Sequence, residues 1–564
     1  MRWSLPVLSL ICLLLVQTHV KGKVQEKSAP PLIVSLIGTN DLHGHMDRLP
    51  LLAGYVNNLR QQRRADGGGV LLVDAGDMFQ GTLASNLSEG AAVITLYNAM
   101  GYAATAVGNH EFDFGPVGPD VTVIRSDQRP IGALLARARQ ARFPLLAGNI
   151  VNRVTGRRVQ WPKMPASVLH EVAGVKTGII GITTVTTPTT TMPANVKGLR
   201  FIDPVPVIIR EAAGLRRRGA KLILVAAHAG AACTDFRNPE DLSSCGRPAE
   251  ILQIAEALPP GTVDAMVAGH VHSFIAHRPG GIPVIESSSY GRAFGRIDFH
   301  LDRRTHQLRS VQIHQPRWLC GDRRATPQQC RPGSYAGKSV EPDPAIAALL
   351  QKAEARAEKA RQRPLGVTIV RPVRRSRDHE SALGNLFADL MLQARPAADF
   401  SLRNSGGLRA DLPAGPLTYG TFYEAMPFDN RFALATVTGA GLQEVIRTNL
   451  QGRHSLLSFS GIRVRAACAQ GRLEVEVHRA DGRPVGPADK LLMVTSNYLA
   501  TGGEAALRTI DKDRFRVESS PLIREAMVRL LEKRGGKLSG SDKSLLDPQN
   551  PRYIWPGGRP VACP

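Results

Sequence analysis

Gly108-Asn109-His110-Glu111-Phe112-Asp113 follows directly on the apolar run Ala103 to Val107. It sets an amide oxygen, an imidazole and two carboxylates within a few residues of a strand end, where open α/β sheets carry their chemistry. Taken alone, the hexapeptide reads as readily as a Gly-Asn turn whose histidine is satisfied by a nearby aspartate. The rest of the chain separates the two readings, because four further strand-like runs end in the same kinds of residue.

Those runs are Leu32 to Gly38, Val70 to Val73, Ala103 to Val107, Lys176 to Ile182, Leu222 to Ala227 and Ala265 to Ala268. They alternate with helix-like segments from residue 32 to about 300, the pattern of an α/β domain. The first is followed by Asp41-Leu42-His43, the second by Asp74-Ala75-Gly76-Asp77 and the third by Asn109-His110. The fifth is followed by His228 and the sixth by Gly269-His270-Val271-His272. Asp, Asn and His together suit zinc, manganese or iron better than calcium or a thiolate-bound metal. Asp41, His43, Asp77, Asn109, His228, His270 and His272 are too many ligands for one ion. They fit two ions with a carboxylate between them, the arrangement that activates a water and clamps a phosphoryl group. Each element alone has a structural explanation: Asp41 or Asp77 as a helix cap, His228 as a satisfied core residue.

With these motifs in order, the sequence resembles the metallophosphoesterases, in particular the secreted 5′-nucleotidase and UDP-sugar hydrolase group. The resemblance implies a four-layer αββα catalytic domain over residues 32–340, a connector helix over 341–364 and a C-terminal α/β substrate-binding domain over 365–564. It implies two divalent ions, zinc, manganese or similar, with Asp41, His43, Asp77 and His272 on one and Asp77, Asn109, His228 and His270 on the other. Some relatives use Gln where His272 stands. It makes His110, paired with Asp113, a catalytic residue that faces the phosphate and stabilises charge on the phosphoryl oxygens.

Asp343-Pro344 supplies an N-cap and a first-turn proline, and Ala345 to Arg363 reads as a helix that Pro364 stops. Its interleaved Glu354 and Glu358 point to a solvated face rather than a nucleic-acid stripe. Beyond it, Glu380 to Leu386 opens a helix carrying Leu383, Leu386, Phe387 and Leu390 inward. Three loops follow: Asn404 to Arg409, Met426 to Asn430 and Asn497 to Glu504. In the first, glycines permit close backbone approach and Arg409 suits phosphate. The other two set an aromatic ring beside polar groups. The resemblance assigns Phe428 and Tyr498 to stacking a base, Glu504 to the ribose, and Asn404, Arg409 and Arg377 to phosphate. Phe is common in the family at Tyr498, Asp at Glu504 and Gly at Ser405.

The 564 residues, 43% hydrophobic, 21% charged and 5% aromatic, have the composition of a globular protein without a bias to disorder. Lys and Arg number 71 against 48 Asp and Glu, a formal charge of +23 that favours an anionic ligand. Basic residues are spread along the chain, with clusters at Arg216 to Arg218 and from Lys352 to Arg377, and no nucleic-acid motif accompanies them. A nucleic acid polymer is therefore not the expected partner. Residues 1–22, with Arg2 and the apolar stretch Leu5 to Val16, read as a cleaved signal peptide, and no later run is long enough to span a membrane. A periplasmic or secreted monomer is expected. With Cys12 inside the leader, six cysteines remain. Of the connectivities they allow, Cys233 with Cys245, Cys320 with Cys330 and Cys468 with Cys563 is the expected one. Metal-binding cysteine is the alternative, but the chain has no Cys-x-x-Cys pair.

The expected activity is release of phosphate from nucleoside 5′-monophosphates, with UDP-sugars as further substrates, by attack of a metal-bound hydroxide. Alternatives on the same scaffold are a 2′,3′-cyclic-nucleotide phosphodiesterase with 3′-nucleotidase activity, a sulfur-compound hydrolase and a catalytically silent nucleotide-binding protein.

Overall fold

The apolar runs form the strands of two sheets. The computed structural model describes Met1 and residues 30–563, except 119, 124, 323–324, 327–328, 454 and 504, and at 519–520 only the backbone. The leader reading and Glu504 therefore lie outside the described residues. One sheet runs Leu308–Ile313, Ala293–Leu301, Leu32–Thr39, Gly69–Asp74, Ala104–Ala106, Leu145–Leu146. The other runs Phe274–His277, Val284–Ser287, Ala265–Ala268, Leu222–His228, Val175–Thr183, Ser167–Val172. The last four strands of the first sheet are parallel, as are the middle four of the second. Parallel strands covered on both faces need apolar residues throughout, which explains continuous rather than alternating runs.

Val34, Leu36, Leu71 and Val73 of the first sheet pack on Ile179, Leu224, Ala226 and Val267 of the second. The sheets approach so closely that a Cβ on Gly38 would lie 2.8 Å from Val267 Cγ1. Helices Leu49–Ala65 and Ala91–Met100 cover one outer face, and Pro204–Arg217 and Glu250–Ala257 the other. The result is the αββα sandwich expected.

The next helix spans Pro344–Arg361, slightly shorter than its sequence pattern, because Pro364 already opens a strand, Pro364–Arg371. Asp343 caps it by accepting from the Ala345 and Ile346 amides. Ile346 and Ala357 are buried in the same core as Leu49–Ala65 and Ala91–Met100, so the connector is docked on the first domain by one face. Its other face carries Glu354 and Glu358 beside Arg361.

The C-terminal half is built on a five-stranded sheet, Leu457–Ser460, Phe400–Asn404, Lys490–Ser496, Arg431–Thr438, Arg516–Leu522. Helix Ala382–Ala394 buries Leu383, Leu386, Phe387 and Leu390 against it. Disulfides join Cys233 to Cys245, Cys320 to Cys330 and Cys468 to Cys563, the pairing expected. Among the described residues no helix is long and apolar enough to cross a membrane.

Candidate active site

The carboxyl ends of the parallel strands in both sheets open on one edge of the sandwich, and the turns leaving them carry all seven candidate ligands. The turns are strained. Asp41, His43, Asp77, His270 and His272 all sit at positive φ, between 49° and 84°, a conformation that costs a non-glycine residue about 1–3 kcal/mol. Surrounding contacts hold it. Asn40 donates to Asp41 Oδ2 and to the Ser288 carbonyl, and the Ser287 amide donates to its Oδ1.

The donors fall into groups. Asp41, His43 and His272 form one, Asp77, His228 and His270 another, and His43, Asp77 and His110 make a third that overlaps both. In the first, His43 Nε2 lies 3.0 Å from His272 Nε2 and 3.9 Å from Asp41 Oδ1. In the second, His228 Nε2 lies 3.1 Å from Asp77 Oδ2 and 2.9 Å from Asn109 Oδ1. Asp77 Oδ2 is also 3.7 Å from His43 Nε2, so this carboxylate stands between the groups. Backbone carbonyls fix the rings: His43 Nδ1 pairs with Gln80 O and His228 Nδ1 with Ala75 O, leaving both Nε2 atoms turned inward. Asn109 Nδ2 donates to Thr190 O, which aims its Oδ1 inward too.

The donor set fits divalent cations. Asp41 Oδ1 is buried and accepts no hydrogen bond, an arrangement that burial makes costly unless a cation satisfies it. Burial, and then the charge of His228, hold His270 down to about 3; burial and the Arg409 guanidinium keep His43 well below the ordinary value. Both rings are thus neutral and able to donate lone pairs. His228 goes the other way. Burial opposes its charge, but Asp77, Asp41 and Glu111 raise it to about 10, the mark of a site whose negative potential draws in positive charge.

His110 adjoins the first two groups. Its Nδ1 lies 2.5 Å from Asp113 Oδ2, and Asp113 Oδ1 accepts from Thr191 Oγ1 and the Met192 amide. The His110 amide donates to Asp77 Oδ1. Glu111 has a role the sequence reading did not assign. Its Oε1 accepts from the Met78 and Phe79 amides and its Oε2 from those of Asp77 and Gly108, so it clamps the Asp77 turn onto its own. Gly108 is required there, because a Cβ would lie 2.2 Å from Asp77 Oδ1.

The C-terminal loops close over this edge. A cavity of about 520 Å³ is lined from one side by Asp77, Asn109, His110, His270 and His272, and from the other by Arg377, Asn404, Arg409, Phe428 and Tyr498. Arg409 Nη2 reaches within 3.4 Å of His43 Nε2, and the Phe428 ring lies 6.0 Å from that of His110. Gln80 and Asn86 both donate to the Pro427 carbonyl, pinning the Phe428 loop to the catalytic domain. The Tyr498 hydroxyl stands 2.9 Å from Thr189 O and 2.8 Å from Gly503 O. One face of the Tyr498 ring is closed by Gly503, whose Cβ would fall 2.3 Å from Cζ.

A family model for calcineurin-like phosphoesterases matches residues 34–274, and one for the 5′-nucleotidase C-terminal domain matches residues 359–509. The chain belongs to the 5′-nucleotidase family of metallophosphoesterases. It is 27% identical over 515 residues to Endonuclease YhcR of Bacillus subtilis, covering 87% of this chain and 39% of YhcR. To Protein UshA of Escherichia coli it is 25% identical over 555 residues, covering 92% of this chain and 93% of UshA. The chain thus spans well under half of the first relative and nearly all of the second. Among solved structures, a 5′-nucleotidase precursor from Thermus thermophilus superposes with a TM-score of 0.69 at 23% identity, covering 93% of this chain and 99% of that one. This likeness is one of fold.

Two buried arginines of this 5′-nucleotidase-family chain support the C-terminal loops that line the cavity. Arg524 pairs with Asp429 and donates to the Phe428 carbonyl, holding the Phe428 loop from behind. Arg403 precedes Asn404 and lies over the Phe387 ring, with Nη1 3.8 Å from Met426 Sδ. Among the described residues Arg403 has no carboxylate partner, and burial pulls its guanidinium down to about 9. A lone buried charge is costly, so Arg403→Met is expected to stabilise the fold by about 1–4 kcal/mol in denaturant titration. Equal or lower stability would show that its stacking outweighs the desolvation.

Proposed function

We propose that the chain is an exported, divalent-metal-dependent phosphoric monoester hydrolase that releases phosphate from nucleoside 5′-monophosphates. One observation carries this reading: the buried Asp, Asn and His cluster and the His110–Asp113 pair share one cavity with Arg409, Phe428 and Tyr498 of the other domain. The likeness to the 5′-nucleotidase precursor of Thermus thermophilus and the match to the 5′-nucleotidase C-terminal domain support the nucleotide as substrate class. Three disulfides support an oxidising compartment.

Asp41, His43, Asp77 and His272 would hold one cation, and Asp77, Asn109, His228 and His270 a second. Such a pair supplies, when bound, an activated water and a clamp on the phosphoryl oxygens. The chain's own residues do the rest. Arg409, Arg377 and Asn404 take phosphate oxygens, and Phe428 and Tyr498 take the base. With its Nδ1 engaged by Asp113, His110 presents the Nε2 proton to the phosphoryl or leaving oxygen.

Phosphate release from AMP, UDP-glucose, 2′,3′-cyclic AMP and an aryl phosphate tests the substrate class. AMP is expected to lead, and a lead for the cyclic nucleotide or UDP-glucose would replace the reading. Stacking on an aromatic ring is worth about 1–3 kcal/mol per base. Tyr498→Ala should therefore raise KM for AMP by about tenfold or more while leaving glycerol phosphate unaffected. Equal effects on both substrates would remove Tyr498 from base recognition.

A further inference from the structure

Arg371-Pro372-Val373-Arg374-Arg375-Ser376-Arg377 sets four arginines within one short stretch. Arg377 lines the main cavity, and Arg375 lines both that cavity and an adjoining groove of about 490 Å³. Arg371 and Arg374 line the groove alone, together with Ser376, Ser381 and Ser541. Arg375 is thus common to the groove and the cavity.

Three arginines and one carboxylate, Glu380, line this groove, so positive charge predominates in it. Just upstream, Arg361 pairs with Glu358 and Arg363 with Glu532. Among the described residues, none of the four arginines from Arg371 to Arg377 has a carboxylate within ion-pair distance of its guanidinium. Arg375 donates from Nη1 to the Leu408 carbonyl, which orients it without neutralising it. The one carboxylate lining the groove, Glu380, is occupied: its oxygens accept from Asn385 Nδ2 and from the Arg552 and Tyr553 amides.

We propose that the groove of Arg371, Arg374 and Arg375 is a second anion subsite, which takes a non-scissile phosphate group of a polyphosphorylated nucleotide whose reacting phosphate lies in the main cavity. Guanidinium forks match phosphate oxygens, and three of them on one groove can engage more than one phosphate group. The proposal rests on the reading of the main cavity as a phosphoester site. Its test therefore uses binding rather than turnover.

The test is calorimetric titration of the full chain, stripped of divalent cations by chelation and dialysis, with sodium tripolyphosphate and with orthophosphate at fixed salt. The comparison is between wild type and the Arg371→Ala, Arg374→Ala double variant, in which both changed side chains are exposed. The variant is expected to bind tripolyphosphate about tenfold more weakly, with orthophosphate binding unchanged. Once cations are restored, its kcat/KM should fall for ATP and not for AMP. Unchanged tripolyphosphate binding would overturn the subsite and leave the main-cavity reading standing. An equal loss for orthophosphate would also overturn it, by showing a site for free phosphate or a general surface field. Absence of AMP turnover in wild type, with the tripolyphosphate difference intact, would instead count against the main-cavity reading alone.

Discussion

His110→Ala is expected to lower kcat by about a hundred- to ten-thousand-fold, the usual range for loss of a positioned acid or base. Its content of divalent cations should stay at the wild-type level, because His110, its Nδ1 engaged by Asp113, is not among the seven ligands proposed for the two cations. The geometry separates the roles: Nδ1 is committed to Asp113, while the ring stands between His43 at 5.1 Å and Phe428 at 6.0 Å. Burial alone would lower the imidazole, but the charges of Asp113 and Asp77 outweigh it and raise it above the ordinary histidine value. A raised histidine keeps its proton to higher pH and loses it as pH climbs through the raised value. Asp113→Asn should therefore move the alkaline fall in turnover to lower pH. Near-wild-type turnover in His110→Ala would reject the catalytic role. Loss of bound cations in that variant would make His110 a positioning residue for the Asp77 turn.

Glu111→Gln is expected to have the larger effect on the protein itself. Both Glu111 oxygens face backbone N–H groups, four in all. An amide in place of the carboxylate turns one acceptor into a donor aimed at two of them. Each buried N–H left without an acceptor costs about 1–3 kcal/mol, so a loss of several kcal/mol is expected. The loss should appear in urea titration, together with weaker retention of divalent cations, because the displaced turn carries Asp77. Unchanged stability and cation content would mean that the strained Asp77 turn is held by its own sequence.

Much of the catalytic edge was legible from sequence because its logic is local. A buried parallel strand must be apolar throughout, and the residues just beyond its end carry the ligands, so strand and function can be read from the same dozen residues. The inward face of the Ala382–Ala394 helix and the two short disulfide loops, of separation 12 and 10, were legible for similar reasons, and the third disulfide, across 95 residues, followed by elimination. The supports of the site were not. Asn40 acts through Ser287 and Ser288, and Arg524 through Phe428 and Asp429, and neither carries a mark in its own neighbourhood. Glu111 stood inside the quoted motif, but its four partners become visible only when the Asp77 turn folds against it. The docking of Pro344–Arg361 depends on the first-domain helices that receive it. For Tyr498, the ring type was legible, while the closure of one face by Gly503 is a matter of backbone path.

The most direct test of the central claim is phosphate release from AMP by the purified protein before chelation, after it, and after return of manganese or zinc, beside an Asp77→Asn variant. The account predicts release that chelation abolishes and the cation restores, with Asp77→Asn inactive because the carboxylate between the two donor groups is gone. Release that survives complete removal of divalent cations, or that persists in Asp77→Asn, would contradict it.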